Sequence, residues 1–572
     1  MRIKHFFGLA VIAAMTASCS SNNDLVNGGN GSGEVENGTA YASFKINLPT
    51  TSGTRAVGEP TFDKGDANEY KVNDATLLLF KKDATTGKYQ FKESVDLGNM
   101  EPWTSSSTEG ITTTAKLTAK ITKAEVGSNK GYYALIILNN NSKTAAKITE
   151  PIDGQTYADW SKNADNATVA NYLKHDNGFF MANAPKYVAG APETLVEIKN
   201  IYASKQEAEN STATTVYVER GLAKVSLAST SNEHVDIADG NYAGDHVDIT
   251  GWTLDVTNKK TFPVHVTEGD GLWADTWKAT TTPAATNGAT MDRFHDTKLT
   301  EFQRVYWGLD PNYKKEFATV EACEGEFTMA KTSDFKTGKD AKKAQYCLEN
   351  TFDIAHMMQG QTTRVLFSAK YTPNGFSDGE TFYKMGNSSQ LWNATKVEAQ
   401  IKAKAQEVLG EADASKVTVT LAAEGNDMTK AGVHLVAAAN ITYGTTALAP
   451  EKVDEINAKL GFKKATPTDA EVGLSTFASG VSYYIARVKH FNELTPWNAG
   501  DATYADNNIN WLGRYGVLRN NWYELTVNSV SGPGYPDIPK VKPTDPDDEN
   551  SQYINVSVKI LDWAKRSQDV NL

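Results

Sequence analysis

Ala42-Ser43-Phe44-Lys45-Ile46-Asn47-Leu48, near the start of the chain, alternates apolar and polar side chains. A period of two sends successive side chains to opposite faces of an extended chain. The stretch therefore reads as a half-buried β-strand that offers Ala42, Phe44, Ile46 and Leu48 to a core. Near the other end, Ile554-Asn555-Val556-Ser557-Val558-Lys559-Ile560 repeats the pattern, with Ile554, Val556, Val558 and Ile560 as its apolar positions. Two segments of this kind suit one and the same row of pockets. Just after the first comes Thr50-Thr51-Ser52-Gly53-Thr54-Arg55-Ala56, small and polar with one basic residue. A protease cutting between Arg55 and Ala56 would let the first strand leave. The groove left behind could then accept the second strand from another copy of the chain.

Working outward, most of the sequence has the same character. Runs rich in branched and aromatic residues, at 75–80, 132–138, 215–227, 251–256, 364–371, 417–421, 482–488 and 522–530, are separated by Gly, Asn, Asp and Thr clusters. Tyr133-Ala134-Leu135-Ile136-Ile137-Leu138 is nearly all apolar, which predicts a central strand buried on both faces. Strands and helices do not alternate regularly, so a doubly wound fold is excluded and the class is all-β. Two helices interrupt it. One spans about 395–409, with Val397, Ile401 and Val408 on one face and Gly410 as its stop; the other spans about 450–460, with Pro450 in its first turn and Val453, Ile456 and Leu460 on one face. Both read as covers with no chemistry. A Pro- and Asp-rich stretch, 531–548, reads as a solvated linker that sets the last strand apart from the body.

The length of 572 residues suggests two or more domains, and a net charge of -12 excludes broad nucleic-acid contact. Met1-Arg2-Ile3-Lys4-His5 is a basic leader, and 6–15 is an apolar run too short to span a bilayer. It ends in Thr16-Ala17-Ser18-Cys19, small residues directly before a cysteine, as in a bacterial lipobox. Cleavage before Cys19 and lipidation of its thiol are expected, with 20–36 as a tether. The remaining cysteines, Cys323 and Cys347, could pair in an exported protein or stay reduced.

Catalytic motifs fail one after another. There is no phosphate-binding Gly-x-x-x-x-Gly-Lys loop, no His-Glu-x-x-His helix and no Gly-x-Ser-x-Gly elbow, and the nine histidines are scattered. Neither an enzyme, a cofactor nor a metal site is expected. Glu268-Gly269-Asp270-Gly271 reads as a turn, and Asp545-Pro546-Asp547-Asp548-Glu549 lacks the spacing of a calcium loop. Trp252, Trp273, Trp277, Trp307 and Trp392 are either core and rim packing or, in a rival reading, a surface that stacks on sugars.

Several segments together resemble the type V pilins, the major fimbrial subunits (fimbrilins) of Bacteroidales. They are the lipobox at Cys19, the Arg55-Ala56 junction, Gly178-Phe179-Phe180-Met181-Ala182-Asn183 and Val218-Glu219-Arg220-Gly221-Leu222-Ala223-Lys224-Val225. Arg364-Val365-Leu366-Phe367-Ser368-Ala369-Lys370-Tyr371, Tyr515-Gly516-Val517-Leu518-Arg519-Asn520-Asn521-Trp522-Tyr523, Ile560-Leu561-Asp562-Trp563 and the closing Val570-Asn571-Leu572 complete the set. The resemblance implies two transthyretin-like β-sandwich domains in tandem. It implies a signal peptide at 1–18, a lipidated pro-segment at 19–55, sandwiches at 56–230 and 231–540 with a helical insertion at about 391–461, and a linker with donor strand at 541–572. It further implies an outer-membrane lipoprotein precursor and an arginine-specific protease that removes the first strand. The mature subunit would join other copies of itself, together with tip and anchor subunits, in a surface fimbria. A tip or accessory adhesin and a surface glycan-binding lipoprotein are the alternatives.

Overall fold

The computed structural model describes residues 39–49, 69–98, 104–105, 111–140, 148–168, 178–188, 191–229, 231–267, 304–466, 470–490, 513–547 and 554–562. Alternation becomes strand from the outset, in β1 (Ala40–Pro49), β2 (Ala75–Lys82), β3 (Tyr89–Asp96), β4 (Ile111–Ile121), β5 (Tyr132–Leu138), β6 (Met181–Asn183) and β7 (Thr214–Arg220). They join in the order β3-β2-β5-β6-β7-β1-β4, ended by a short strand at Thr104–Ser105. The sheet folds over on itself. Leu77 and Leu79 of β2, Ala134, Ile136 and Leu138 of β5, and Phe44, Ile46 and Leu48 of β1 all meet in one core. β5 is buried on both faces as its composition predicts, because Leu135 and Ile137 enter a second cluster with Phe179, Leu222 and Leu348. A one-turn helix, α1 (Lys205–Asn210), starts at Ser204 with a reciprocal cap from Glu207 and lies over β1.

The second half builds a two-sheet sandwich from β8 (Leu222–Leu227), β9 (His234–Asp236), β10 (His246–Asp255), β11 (Gln345–Leu348), β12 (Arg364–Thr372), β15 (Val481–Arg487), β16 (Asn521–Val530) and β17 (Ile554–Asp562), while β13 (Phe382–Met385) and β14 (Leu474–Phe477) belong to a separate sheet. One sheet runs β11-β8-β16-β17 and the other β9-β10-β12-β15. Ala223 and Val225, Tyr523, Leu525 and Val527 face Val247, Phe367, Tyr371, Tyr484 and Ala486 across the core. The continuous run 215–227 is thus two strands: β7 closes the first sheet, Gly221 intervenes, and β8 opens the second. In chain order the first sheet therefore ends at Arg220 and the second begins at Leu222.

Strands β13 and β14 begin and end a lobe inserted between β12 and β15. Its helices, α2 (Ala394–Leu409) and α3 (Pro450–Lys459), bury Val397, Ile401 and Ala405, and Val453 and Ile456, in a core of their own. Gly410 takes the left-handed conformation, φ 63°, that ends α2.

Two readings left open are narrowed and one expectation, the free linker, is corrected. Cys323 and Cys347 are buried free thiols in separate hydrophobic clusters, the first beside Phe317 and Phe327, the second on β11 opposite Ala223. Burial pushes the Cys323 thiol to about 11 and the Cys347 thiol to about 12, leaving both unreactive. Trp252 and Trp307 are fully buried, as core packing expects, and Trp392 is half-buried; Trp273 and Trp277 lie outside the described residues. The stretch 531–547 is not a free linker but a strap bound to the body. Tyr535 and Tyr483 exchange backbone hydrogen bonds, the Arg364 guanidinium donates to the Pro539 carbonyl, and Arg487 pairs with the buried Asp547 at 3.0 Å. A carboxylate sequence is well solvated only until an arginine takes it inside.

Candidate functional site

β1 is held along both edges. It runs antiparallel to β4 from Ala40 opposite Ile121 to Pro49 opposite Ile111, and parallel to β7 from Phe44 opposite Thr214 to Asn47 opposite Tyr217. Ala42, Phe44, Ile46 and Leu48 are 0% exposed. Burying the three larger side chains contributes about 5–9 kcal/mol. The other face is half covered: Ser43 donates to the Ala208 carbonyl of α1 at 2.6 Å, and Asn47 accepts from Thr114 at 2.7 Å. Lys45 stays exposed, opposite Lys116. Without β1, the first domain would lose a central strand and would expose an apolar slot between β4 and β7.

Cys19, Arg55 and Ala56 lie outside the described residues. Where the description resumes after them, at Glu69, the chain is fastened. The Glu69 carboxylate, 0% exposed, lies 2.6 Å from the Lys224 ammonium and accepts from the Tyr346 hydroxyl at 2.6 Å. The Glu69 carbonyl accepts from the Arg220 guanidinium at 2.6 Å. Burial lowers the Arg220 pKa to about 10 against the pull of Glu69. Lys224 also sits over the Trp522 ring, 3.8 Å from its centroid. Removing one member of such a buried set strands a charge in low dielectric, which is costly.

This fastening is part of a polar seam where the two domains meet. Glu219 of β7 takes a 2.7 Å contact from His265 and a 2.8 Å pair with Arg304; Arg519 pairs with Glu349 at 3.3 Å, and Arg304 donates to the Arg519 carbonyl. Burial works against the Glu219 carboxylate, but His265 and Arg304 outweigh it and hold its pKa below the ordinary value. Asp310 accepts from Thr351, Asn312 and Asn258 at the same seam, yet burial pushes its pKa up to about 7. Val218–Val225 and Tyr515–Tyr523, which carried much of the family resemblance, supply its core. Glu69, Tyr346 and Arg304 escaped the sequence reading. The available signal was Glu219-Arg220 and Lys224 inside an otherwise apolar run.

The last strand is placed differently. Among the described residues β17 pairs only with β16, antiparallel, with Ile554 opposite Val530, Val556 opposite Val527, Val558 opposite Leu525 and Ile560 opposite Tyr523. It ends its sheet, so among the described residues one edge of it is unpaired. The backbone of the expected donor strand is therefore laid against its own subunit in the single chain.

Residues 475–569, which take in β15, β16, the strap and β17, match the family profile described as major fimbrial subunit protein type IV, Fimbrillin, C-terminal. The match is to the C-terminal part of the chain alone and is a likeness to the C-terminal region of major fimbrial subunits. No curated protein sequence matches the chain. Among solved structures, a fimbrilin from Porphyromonas gingivalis W83 overlaps it with a TM-score of 0.35 at 13% identity, over 92% of this chain and 99% of that one. A candidate cell adhesion protein from Parabacteroides distasonis ATCC 8503 overlaps with a TM-score of 0.37 at 10% identity, over 93% of this chain and 99% of that one.

Proposed function

We propose that the chain is the shaft subunit of a cell-surface fimbria, exported as a lipoprotein through Cys19, matured by cleavage after Arg55, and polymerised by exchange of strands. The observation that carries the reading is the contrast in how the chain is held on either side of Arg55. Upstream, β1 completes the core of the first domain. Downstream, Glu69 is bound into the domain seam by Lys224, Tyr346 and Arg220. A cut between them frees a strand without freeing the body.

The vacated slot asks for a strand antiparallel to β4 and parallel to β7, with apolar side chains at alternate positions. Ile554, Val556, Val558 and Ile560 supply that pattern in β17. A neighbour's β17 would restore the main-chain ladder and fill the pockets left by Phe44, Ile46 and Leu48. Pairing of β17 with its own β16 is then the resting state of the unassembled subunit. Partners are other copies of the chain, tip and anchor subunits, an arginine-specific protease and, before cleavage, the outer membrane through the lipid.

The N-terminal sequence of the protein recovered from surface filaments tests the reading. Ala56 is the expected first residue. A lipid-blocked chain starting at Cys19 within filaments would overturn it. A tip adhesin would also be cut, but would donate no strand, so loss of β17 would leave its incorporation intact.

A further inference from the structure

β17 can travel no farther than the chain before it allows, and that chain is clamped. The strap begins along the end strand β15. There the Tyr484 hydroxyl donates to the Gly532 carbonyl at 3.0 Å, and Tyr483 and Tyr535 exchange backbone hydrogen bonds of 2.9 and 2.8 Å. Next, Arg364, paired with Asp255 at 2.8 Å, donates to the Pro539 carbonyl at 2.8 Å. Val541 then enters the small cluster of Phe317, Cys323 and Phe327. The far end runs antiparallel to 357–359. The Gln359 amide donates to the Asp545 carbonyl at 2.9 Å, and the Asp547 amide to the Met357 carbonyl at 3.0 Å. Arg487 holds the Asp547 carboxylate, which is 0% exposed, at 3.0 Å. β17, six residues further on, has among the described residues one partner strand.

We propose, on the strand-exchange reading of the chain, that the strap stays closed while β17 is exchanged. Asp547 is then the fixed point from which the strand crosses, and the next copy of the chain docks at the strap end of the second domain, around Met357–Gln359 and Asp547. The first reason is energetic. Releasing β17 breaks a main-chain ladder that the slot between β4 and β7 of the next copy restores bond for bond. Opening the end of the strap breaks the Arg487–Asp547 pair inside the protein and strands both charges, and a slot one strand wide offers no replacement.

The second reason is reach. Seven peptide steps lead from Asp547 to Ile554, and fully extended they span at most about 25 Å. With the two apolar rows in register, Ile554 takes the place of Ala42, which lies opposite Ala119 of β4. The start of the slot, marked by Ala119 of the next copy, must therefore come within about 25 Å of Asp547. A strap freed back to Ser531 would reach roughly three times as far and would leave the place of docking undetermined.

The strap can be locked to test this. Met358 and Pro546, both half-buried, face each other between the hydrogen bonds of Gln359 and Asp547. Residues so paired have Cα atoms about 4.5 Å apart, within the span that a disulfide bridges. The doubly substituted Met358→Cys, Pro546→Cys chain, oxidised and cleaved after Arg55, should form filaments at the rate and with the axial repeat of the unaltered chain, as seen by electron microscopy. Filaments that appear only after reduction would mean that the strap must open, and would overturn the proposal. Hydrogen exchange on the unaltered monomer needs no variant. The amides of Gln359, Tyr535 and Asp547 should exchange at least roughly 10-fold more slowly than those of β17, because β17 opens while the strap stays shut. Equal protection would make strap and strand one opening unit and would also overturn it. Unequal protection in a chain that forms no filaments would leave the clamp standing and overturn the strand exchange, and the docking with it.

Discussion

β1 and β17 share a sequence pattern and differ in how the fold holds them. β1 lies between two partners, and its alternate side chains are wholly inside the first domain. β17 lies against one partner at the end of a sheet. The first is a structural member that leaves only if the chain is cut and the core opened. The second can peel away and leave β16 as the new edge. A strand that is to be given away belongs at an edge, and a strand that keeps a groove closed until a set moment belongs inside.

The largest effect that would break this comparison is on assembly. Deleting 553–572 should abolish filaments while the monomer keeps its circular dichroism and a cooperative melt, because β17 is paired with β16 alone among the described strands and ends its sheet. A monomer that unfolds on deletion would make β17 as integral as β1. The complementary change, Ile46→Asp, puts an unpaired carboxylate where Ile46 is 0% exposed. It should cost the uncleaved chain roughly 5 kcal/mol or more in urea unfolding. Val556→Asp should barely move that measurement yet stop filament growth seen by electron microscopy.

Much of this was legible in the sequence, and the reasons divide cleanly. Period-two alternation identified β1 and β17, and the doubly apolar Tyr133–Leu138 stretch identified a central strand, because burial on one or two faces is written directly in composition. Gly410 and Pro450 marked helix ends for the same local reason. What escaped was long-range pairing of charge. Arg487 takes Asp547 out of solvent and turns a linker into a strap. Arg304 and Arg519 gather Glu219 and Glu349 from distant segments into one seam. Nothing local announces such partners.

The comparison presumes a body that stays rigid while strands change places, and the seam can be probed by pH. The Asp310 carboxyl, raised to about 7 by burial, keeps its proton in the folded chain after the unfolded chain has lost it. Its contribution to stability is therefore complete below about pH 4 and is lost as the pH rises through about 7. Each unit of difference corresponds to about 1.4 kcal/mol, so a decline of a few kcal/mol is expected across that window. Glu219, held low, has the opposite sign and acts only at lower pH. Urea midpoints between about pH 4 and pH 8 should fall for the unaltered chain and flatten in Asp310→Asn. An unchanged slope in the variant would mean that another group carries the dependence.

The smallest effect sharpens the comparison most finely. Lys45 is the exposed position of β1, directly opposite Lys116 of β4. Like charges facing each other across an antiparallel pair are destabilising, and opposite charges contribute roughly 0.2–1 kcal/mol. β1 therefore carries, beside its buried row, a small repulsion against β4. Lys45→Glu converts that repulsion to attraction without touching the core, since period two sends position 45 away from Phe44 and Ile46. The uncleaved variant should be more stable by up to about 1 kcal/mol at low salt, with the gain shrinking at high salt. After cleavage, the excised strand should dissociate more slowly from the body, by a factor of up to about 5. A variant that is no more stable and whose strand leaves at the same rate would show that the Lys45–Lys116 pair has no part in release, and that the cut alone governs it.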